Sequence, residues 1–256
     1  MLLLIDAGNT RIKWALQDRA DAPAGLWLAS GAVTHADLRH LAPTWQAALN
    51  GKAITRVLLA NVAGADLRAR LEQVLPSTLA PAAISWFASL PQLAGVRNAY
   101  RDPAQLGCDR FAAAIGAHTV APGQAVIVAT CGTATTIDAI TADGVFLGGM
   151  ILPGLGLMAQ SLAQNTAHLP YIGRDLRLTA GFADTTEDGI LSGCLAAQAG
   201  AIERACAAHG AAHCILSGGA APLIAPALAV PHQLIDNIVL IGLQAAANTP
   251  VSGSAC

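Results

Sequence analysis

Two stretches of this 256-residue chain can be laid over one another. With Gly8 set against Gly132, LLLIDAGNTRIKWAL at 2–16 aligns with VIVATCGTATTIDAI at 126–140. Each is an apolar run, a small polar turn around a glycine, and a second run that reads as a returning strand. The second copy begins near the midpoint of the chain, so the repeat predicts an α/β protein of two similar lobes with a central cleft. The boundary is expected just before Pro122-Gly123, giving an N-terminal lobe over residues 1–119 and a C-terminal lobe over 120–256.

Local patterns fill in the rest. The first half predicts strands over 2–5, 11–16, 25–33, 54–62 and 84–88. Helices are expected over 35–49, where Pro43 marks a start or a break, over 66–75, and over 103–118 with a proline in the first turn. The second half predicts strands over 125–130, 135–140, 145–152 and 214–216, and helices over 155–165 and 186–208. A turn at Gly218-Gly219, a short strand and a final helix close the chain.

A chain that is 54% hydrophobic and 12% charged has enough apolar surface to bury a sizeable core. Its formal net charge is -2 and no basic stripe appears, so direct nucleic-acid binding is not expected. The apolar N-terminal run stops at Asp6, and the alanine-rich stretch 194–208 is broken by Gln198, Glu203 and Arg204. Neither reads as a membrane span. Cys108, Cys131, Cys194, Cys206, Cys214 and Cys256 make no C-x-x-C pair. They read as reduced small apolar residues of a cytoplasmic protein.

Three short motifs carry the chemistry. Asp6-Ala7-Gly8-Asn9-Thr10 ends the first strand. Gly8 lets backbone N–H groups approach a phosphate, Asn9 and Thr10 add neutral donors, and Asp6 suits a Mg²⁺ ion bridged to nucleotide oxygens. Lys13 on the returning strand can neutralise a phosphate. Taken alone, the same residues make an ordinary polar turn. Gly132-Thr133-Ala134-Thr135-Thr136 is the matching turn in the second copy, and neither has the spacing of a P-loop. Leu106-Gly107-Cys108-Asp109-Arg110 lies early in a helix. Its carboxylate can take a proton from a hydroxyl and its guanidinium can grip a carboxylate, although a structural charge at a helix N-terminus is the plainer alternative.

In this order and spacing, DAGNTRIK (6–13), YRDPAQLGCDR (100–110) and CGTATTID (131–138) resemble the type III pantothenate kinases. FLGGMILPG (146–154), TAHLP (166–170), TTEDGILSG (185–193) and LSGGAA (216–221) extend the likeness over nearly the whole chain. That family, with the similar Bvg accessory factor proteins, falls within the actin, hexokinase and Hsp70 superfamily of two ribonuclease H-like lobes. The resemblance implies ATP-dependent phosphorylation of pantothenate to 4'-phosphopantothenate, the entry to coenzyme A, by a cytoplasmic homodimer. It assigns ATP contacts to Asp6, Ala7, Gly8, Asn9, Thr10, Arg11, Ile12, Lys13 and Thr133. It assigns pantothenate contacts to Tyr100, Gly107, Cys108, Asp109, Arg110 and Thr186, and makes Asp109 the general base. Mg²⁺ would accompany ATP near Asp6, with Asp138 available nearby. In one respect the chain departs from the pattern: the family's carboxylate ligand for a monovalent cation, K⁺ or NH₄⁺, is replaced here by Thr130. A kinase-derived accessory protein of transcription, with little or no kinase activity, is the alternative reading.

Overall fold

The computed structural model describes residues 1–19, 21–76, 79–80, 83–167, 169–170, 181–211 and 213–249. Of the stretches quoted above, TAHLP has its histidine outside the described residues, and Cys256 lies outside them too. The chain forms two compact units, Met1–Val120 together with Asn237–Cys256, and Ala121–Asp236. The first break falls next to the expected boundary. The second corrects the expectation that everything after residue 119 belongs together, because the last helix returns to the first unit.

In the first unit, β1 (Leu2–Ala7), β2 (Arg11–Gln17) and β3 (Ala29–Thr34) form an antiparallel meander. The strands β4 (Arg56–Asn61) and β5 (Ile84–Trp86) then add in parallel on the other side of β1, giving the order β3-β2-β1-β4-β5. Both faces of β1 are covered, which is why it reads as an unbroken apolar run rather than an alternating one. Leu3 and Ile5 join Trp14, Leu16 and Leu59 in a core closed by α1 (Leu41–Leu49) and α2 (Ala65–Val74). The helix α1 starts later than expected, after a 3₁₀ turn at Leu38–His40. Pro43 is its third residue, where a missing N–H costs no helical bond.

A short hairpin that the sequence did not announce, β6 (Gln92–Leu93) and β7 (Val96–Asn98), turns on Ala94 and Gly95, both at positive φ. The expected helix over 103–118 divides in two. Asp102 accepts the Ala104 N–H at 3.0 Å and caps a 3₁₀ turn at Pro103–Gln105. Leu106 is extended, and α3 (Cys108–Val120) begins only after Gly107. Asp109 is thereby the second residue of the helix.

The second unit repeats the plan of the first. β8 (Val126–Cys131), β9 (Ala134–Ile140) and β10 (Val145–Pro153) form the antiparallel meander. β11 (His213–Ser217) and β12 (Gln233–Leu234) add in parallel beside β8. Written from the meander outward, the order β10-β9-β8-β11-β12 is that of β3-β2-β1-β4-β5. Helix α4 (Leu155–Asn165) follows β10, and α5 (Thr186–His209) lays Leu195, Ile202 and Cys206 against Ile127, Ala129 and Leu216. The short α6 (Ala221–Ile224) closes that core, and α7 (Ile238–Asn248) ends the described chain within the first unit. No helix of the described residues is long and apolar enough to cross a membrane.

Candidate active site

The first unit gathers most of the charged site residues. Asp6 stands near the end of β1 directly opposite Lys13 on β2. Between them the turn closes with the Gly8 N–H donating to the Arg11 carbonyl at 3.1 Å, while a ring nitrogen of His35 meets the Gly8 carbonyl at 2.9 Å. Asn9, Thr10 and Arg11 are exposed at its tip. Ala7 and Ile12 have fully buried side chains, so only their backbone groups can face a ligand.

Asp6 keeps a fraction of its surface accessible, yet protein surrounds its carboxylate. Desolvation pushes its pKa up to about 6, against the pull of Lys13 and with a further push from the nearby Asp109. The folded protein therefore binds this proton more tightly than the unfolded chain does. The cost of burying the anion is present above pH 6 and disappears as pH falls towards 4. Asp6→Asn is expected to stabilise the unliganded protein at pH 8 by on the order of 1–2 kcal/mol. Residual solvation and the loss of Lys13's partner keep the gain below what the raised proton affinity alone would give. Thermal melts of both proteins at pH 8 and pH 4 check this. A gain as large at pH 4 as at pH 8 would show that carboxylate burial is not its source.

The N-terminus of α3 brings the second group of residues to the same unit. The Cys108 thiol reaches the Asn61 carbonyl at the end of β4 (3.7 Å), and Asp109 Oδ1 accepts the Arg110 backbone N–H at 2.8 Å. Burial raises the Asp109 pKa above the ordinary carboxylate range, against the lowering effects of backbone N–H groups and the Arg110 charge. Arg110 is 7% exposed. Its guanidinium donates to the Tyr100 hydroxyl at 2.8 Å and stands 5.7 Å from that ring's centre. Tyr100 is held in turn by its own N–H on Asn98 Oδ1 at 3.0 Å. Burial raises the Cys108 thiol above its ordinary proton affinity, with both aspartates adding to the effect.

Asp6, Lys13, Cys108, Asp109, Arg110 and Tyr100 thus belong to one unit, with Asp109 close enough to raise the cost of ionising Asp6. Sequence reasoning missed the supporting residues His35, Asn61 and Asn98. Only Asn98 left a local signal, an Asn two residues before the tyrosine it holds.

In the second unit, the turn after β8 is fixed from two sides. The Gly154 N–H donates to the Thr133 carbonyl at 2.8 Å, and the Ala220 N–H to the Cys131 carbonyl at 3.0 Å. A Cβ on Gly218, which sits at φ +95°, would lie 2.3 Å from the Cys131 carbonyl oxygen, so only glycine lets the two turns meet. Thr133 is exposed. Thr130 Oγ1 is buried and has no hydrogen-bond partner among the described residues, while its strand neighbours are Thr136 and Ser217. Asp138 is completely buried on β9. Thr186 is the first residue of α5 and exposed; the capping hydroxyl belongs instead to Thr185, which accepts the Asp188 N–H at 3.2 Å.

Among the described residues, no cluster of three or more histidines, cysteines, aspartates or glutamates could hold a metal ion. Asp6 has the hard oxygen donor that a divalent ion prefers, with room left in the shell for phosphate oxygens and water.

Two α/β units of one strand order, each with a glycine turn after its first strand, define the two-lobed actin- and hexokinase-like fold. A model of the type III pantothenate kinase family matches residues 2–208, and the chain belongs to that family. A type III pantothenate kinase of Herminiimonas arsenicoxydans is 55% identical, over 96% of this chain and 97% of its own. One from Janthinobacterium sp. (strain Marseille) is 56% identical with the same coverage. Among solved structures, one described as a Baf family transcriptional activator from Campylobacter jejuni has a TM-score of 0.59 at 19% identity, covering 96% of each chain. One described as a 2-dehydro-3-deoxygalactonokinase from Sinorhizobium meliloti reaches 0.58 at 14% identity, covering 97% of this chain and 98% of its own. At such identities these two speak to the fold alone.

Proposed function

We propose that this protein transfers the γ-phosphoryl group of ATP to the primary hydroxyl of pantothenate, giving ADP and 4'-phosphopantothenate at the start of coenzyme A synthesis in the cytoplasm. The observation that carries this reading is the desolvated Asp109 at the head of α3, beside Asp6 and backed by the Arg110–Tyr100 pair. A carboxylate with a raised proton affinity is a better base for an alcohol. Asp109 accepts the hydroxyl proton as the new P–O bond forms and the bond to ADP breaks. Arg110, oriented by Tyr100, faces the carboxylate of pantothenate, and Tyr100, Gly107 and Cys108 shape its surroundings.

The Gly8 and Gly132-Thr133 turns offer backbone N–H groups and short polar side chains to nucleotide phosphates, with Lys13 neutralising charge. A Mg²⁺ ion, held by ATP oxygens with Asp6, would spread the negative charge of the transferred group. Positioning and electrostatics supply most of the rate.

The test is an ADP-release assay on purified protein with pantothenate and a panel of polyols. ADP release dependent on pantothenate alone supports the reading. Release only with another hydroxyl compound replaces the substrate, and none with any of them favours a non-catalytic role.

The Thr130 oxygen, without a partner among the described residues, fits a weak monovalent-cation site that lacks the family's formal charge. A hard cation prefers charged oxygens, so K⁺ or NH₄⁺ should activate only at high concentration, and Thr130→Asp should need less. Initial rates against K⁺ at constant ionic strength check this. A flat response with good turnover would show that the protein works without the cation.

A homodimer is the proposed assembly. Leu147, Met150 and Ile151 on β10 and Leu157 on α4 are apolar side chains 42–65% exposed, whereas α5 spends its apolar positions on its own core. Light scattering should give twice the mass of one chain. A single-chain mass over a wide concentration range would exclude the dimer.

A further inference from the structure

The reaction above makes no use of Cys206 and Cys214. Both are free and buried, one in the last turns of α5 and the other in β11. The chain reverses tightly between them: Gly210 takes a left-handed conformation, and the Ala211 N–H bonds back to the Cys206 carbonyl at 3.1 Å. This reversal puts both thiols in one packed cluster, close enough for each to alter the other's proton affinity. Both also line a cavity of about 280 Å³, walled by Ala207, Gly210, Val230 and Pro231.

We propose that Cys206 and Cys214 form a dithiol modification site, at which a low-molecular-weight disulfide entering this cavity is reduced and leaves the two cysteines joined. The Cys206 thiolate attacks one sulfur of the small disulfide, forming a mixed disulfide and releasing the first thiol. The Cys214 sulfur then attacks Cys206 Sγ, giving up its proton to the departing second thiol. Two protein thiols are oxidised and one small disulfide becomes two thiols, so atoms and electrons balance.

The neighbouring Cys214 thiol holds the Cys206 proton affinity below the ordinary thiol value while its own is raised, which suits Cys206 to attack first. Glu203 near Cys206 acts against this, and Cys131 is a further thiol within electrostatic reach of Cys214. The pair lies at the beginning of β11, away from the Ser217 end whose following turn braces Cys131, so the link leaves that turn in place. In a compartment rich in reduced glutathione the dithiol persists, and it closes as the disulfide form accumulates.

Folded protein should be incubated with oxidised glutathione, quenched by alkylation, and analysed by intact mass and peptide mapping. The expected result is a chain lighter by two hydrogens, two glutathione thiols released per chain, and a Cys206–Cys214 linked peptide. Cys214→Ser should stop instead at one glutathionyl group on Cys206. The proposal is overturned if the natural protein, still folded, takes glutathione only at Cys108 or Cys256. It is overturned equally if the 206–214 link forms only after denaturation. Both readings come from the natural protein and do not depend on a variant folding.

Discussion

Asp109→Asn is expected to lower the turnover of pantothenate phosphorylation by about 10²-fold or more while the protein stays folded. That loss corresponds to about 2.7 kcal/mol of transition-state stabilisation. The amide is close to isosteric, and its oxygen can still accept the Arg110 N–H that Asp109 now accepts at 2.8 Å, so the first turn of α3 keeps its geometry. What disappears is the proton acceptor. A neutral group also removes the cost of a buried charge, so the melting temperature should hold or rise. The pH profile gives a second readout. A raised carboxylate pKa means that the natural enzyme loses its base as pH falls through a value above the ordinary range, producing an acidic limb. The variant should lack that limb in its residual rate. Near-normal turnover in Asp109→Asn would remove this residue from the role of base, whatever its position suggests.

The parts of this structure that the sequence announced are those whose signal is local. A strand, a glycine turn and a returning strand need about fifteen consecutive residues, so the two hairpins around Gly8 and Gly132 could be read directly, and their repetition implied two similar units. The motif spacing singled out Asp6, Lys13 and Asp109 as candidates, and all three lie in one unit, at a strand end, on its returning strand and at a helix start. The homing of α7 was not legible. Its buried residues run nearly all the way round, from Ile238 through Leu243, and such a helix fits any core that offers it space. Nor was the split of the 103–118 segment, since one extended residue, Leu106, decides it. Strands of two or three residues such as β6 and β7 carry too little pattern to detect. The pairing of Tyr100 with Arg110 depends on how the chain folds between them, and no spacing rule expresses that. Thr130 was visible as a missing carboxylate, but its oxygen's lack of a partner among the described residues is a property of the folded strand alone.

Gly242→Ala is expected to be the most destabilising single-methyl change in the first unit. The helices α3 and α7 cross so closely that a Cβ on Gly242 would sit 1.7 Å from the Ala112 carbonyl oxygen and 3.0 Å from the Gly116 nitrogen. Gly116 shows the reciprocal contact, with a Cβ 2.3 Å from the Ile238 carbonyl oxygen. These obstacles are backbone atoms of another helix, so no rotamer change relieves them, and the helices must move apart. Separation opens the packing around Phe111, Ile115, Ile238 and Ile241, all now buried. Overpacking of this kind costs about 3 kcal/mol, or roughly 6–12 °C in melting temperature at this chain length. Because α3 carries Asp109 and Arg110 at its N-terminus, the displacement should also lower turnover at temperatures where the protein is still folded. Helix propensity alone predicts the opposite sign, since alanine is favoured over glycine by about 1 kcal/mol in a helix interior. Gly200, exposed in α5 with nothing within 4 Å of its would-be Cβ, isolates that term. Gly200→Ala should therefore raise the denaturation midpoint by the propensity gain, while Gly242→Ala lowers it by several times as much. Equal midpoints for Gly242→Ala and the natural protein would mean that the two helices can part without loss, and that their close crossing is not what holds α7 in the first unit.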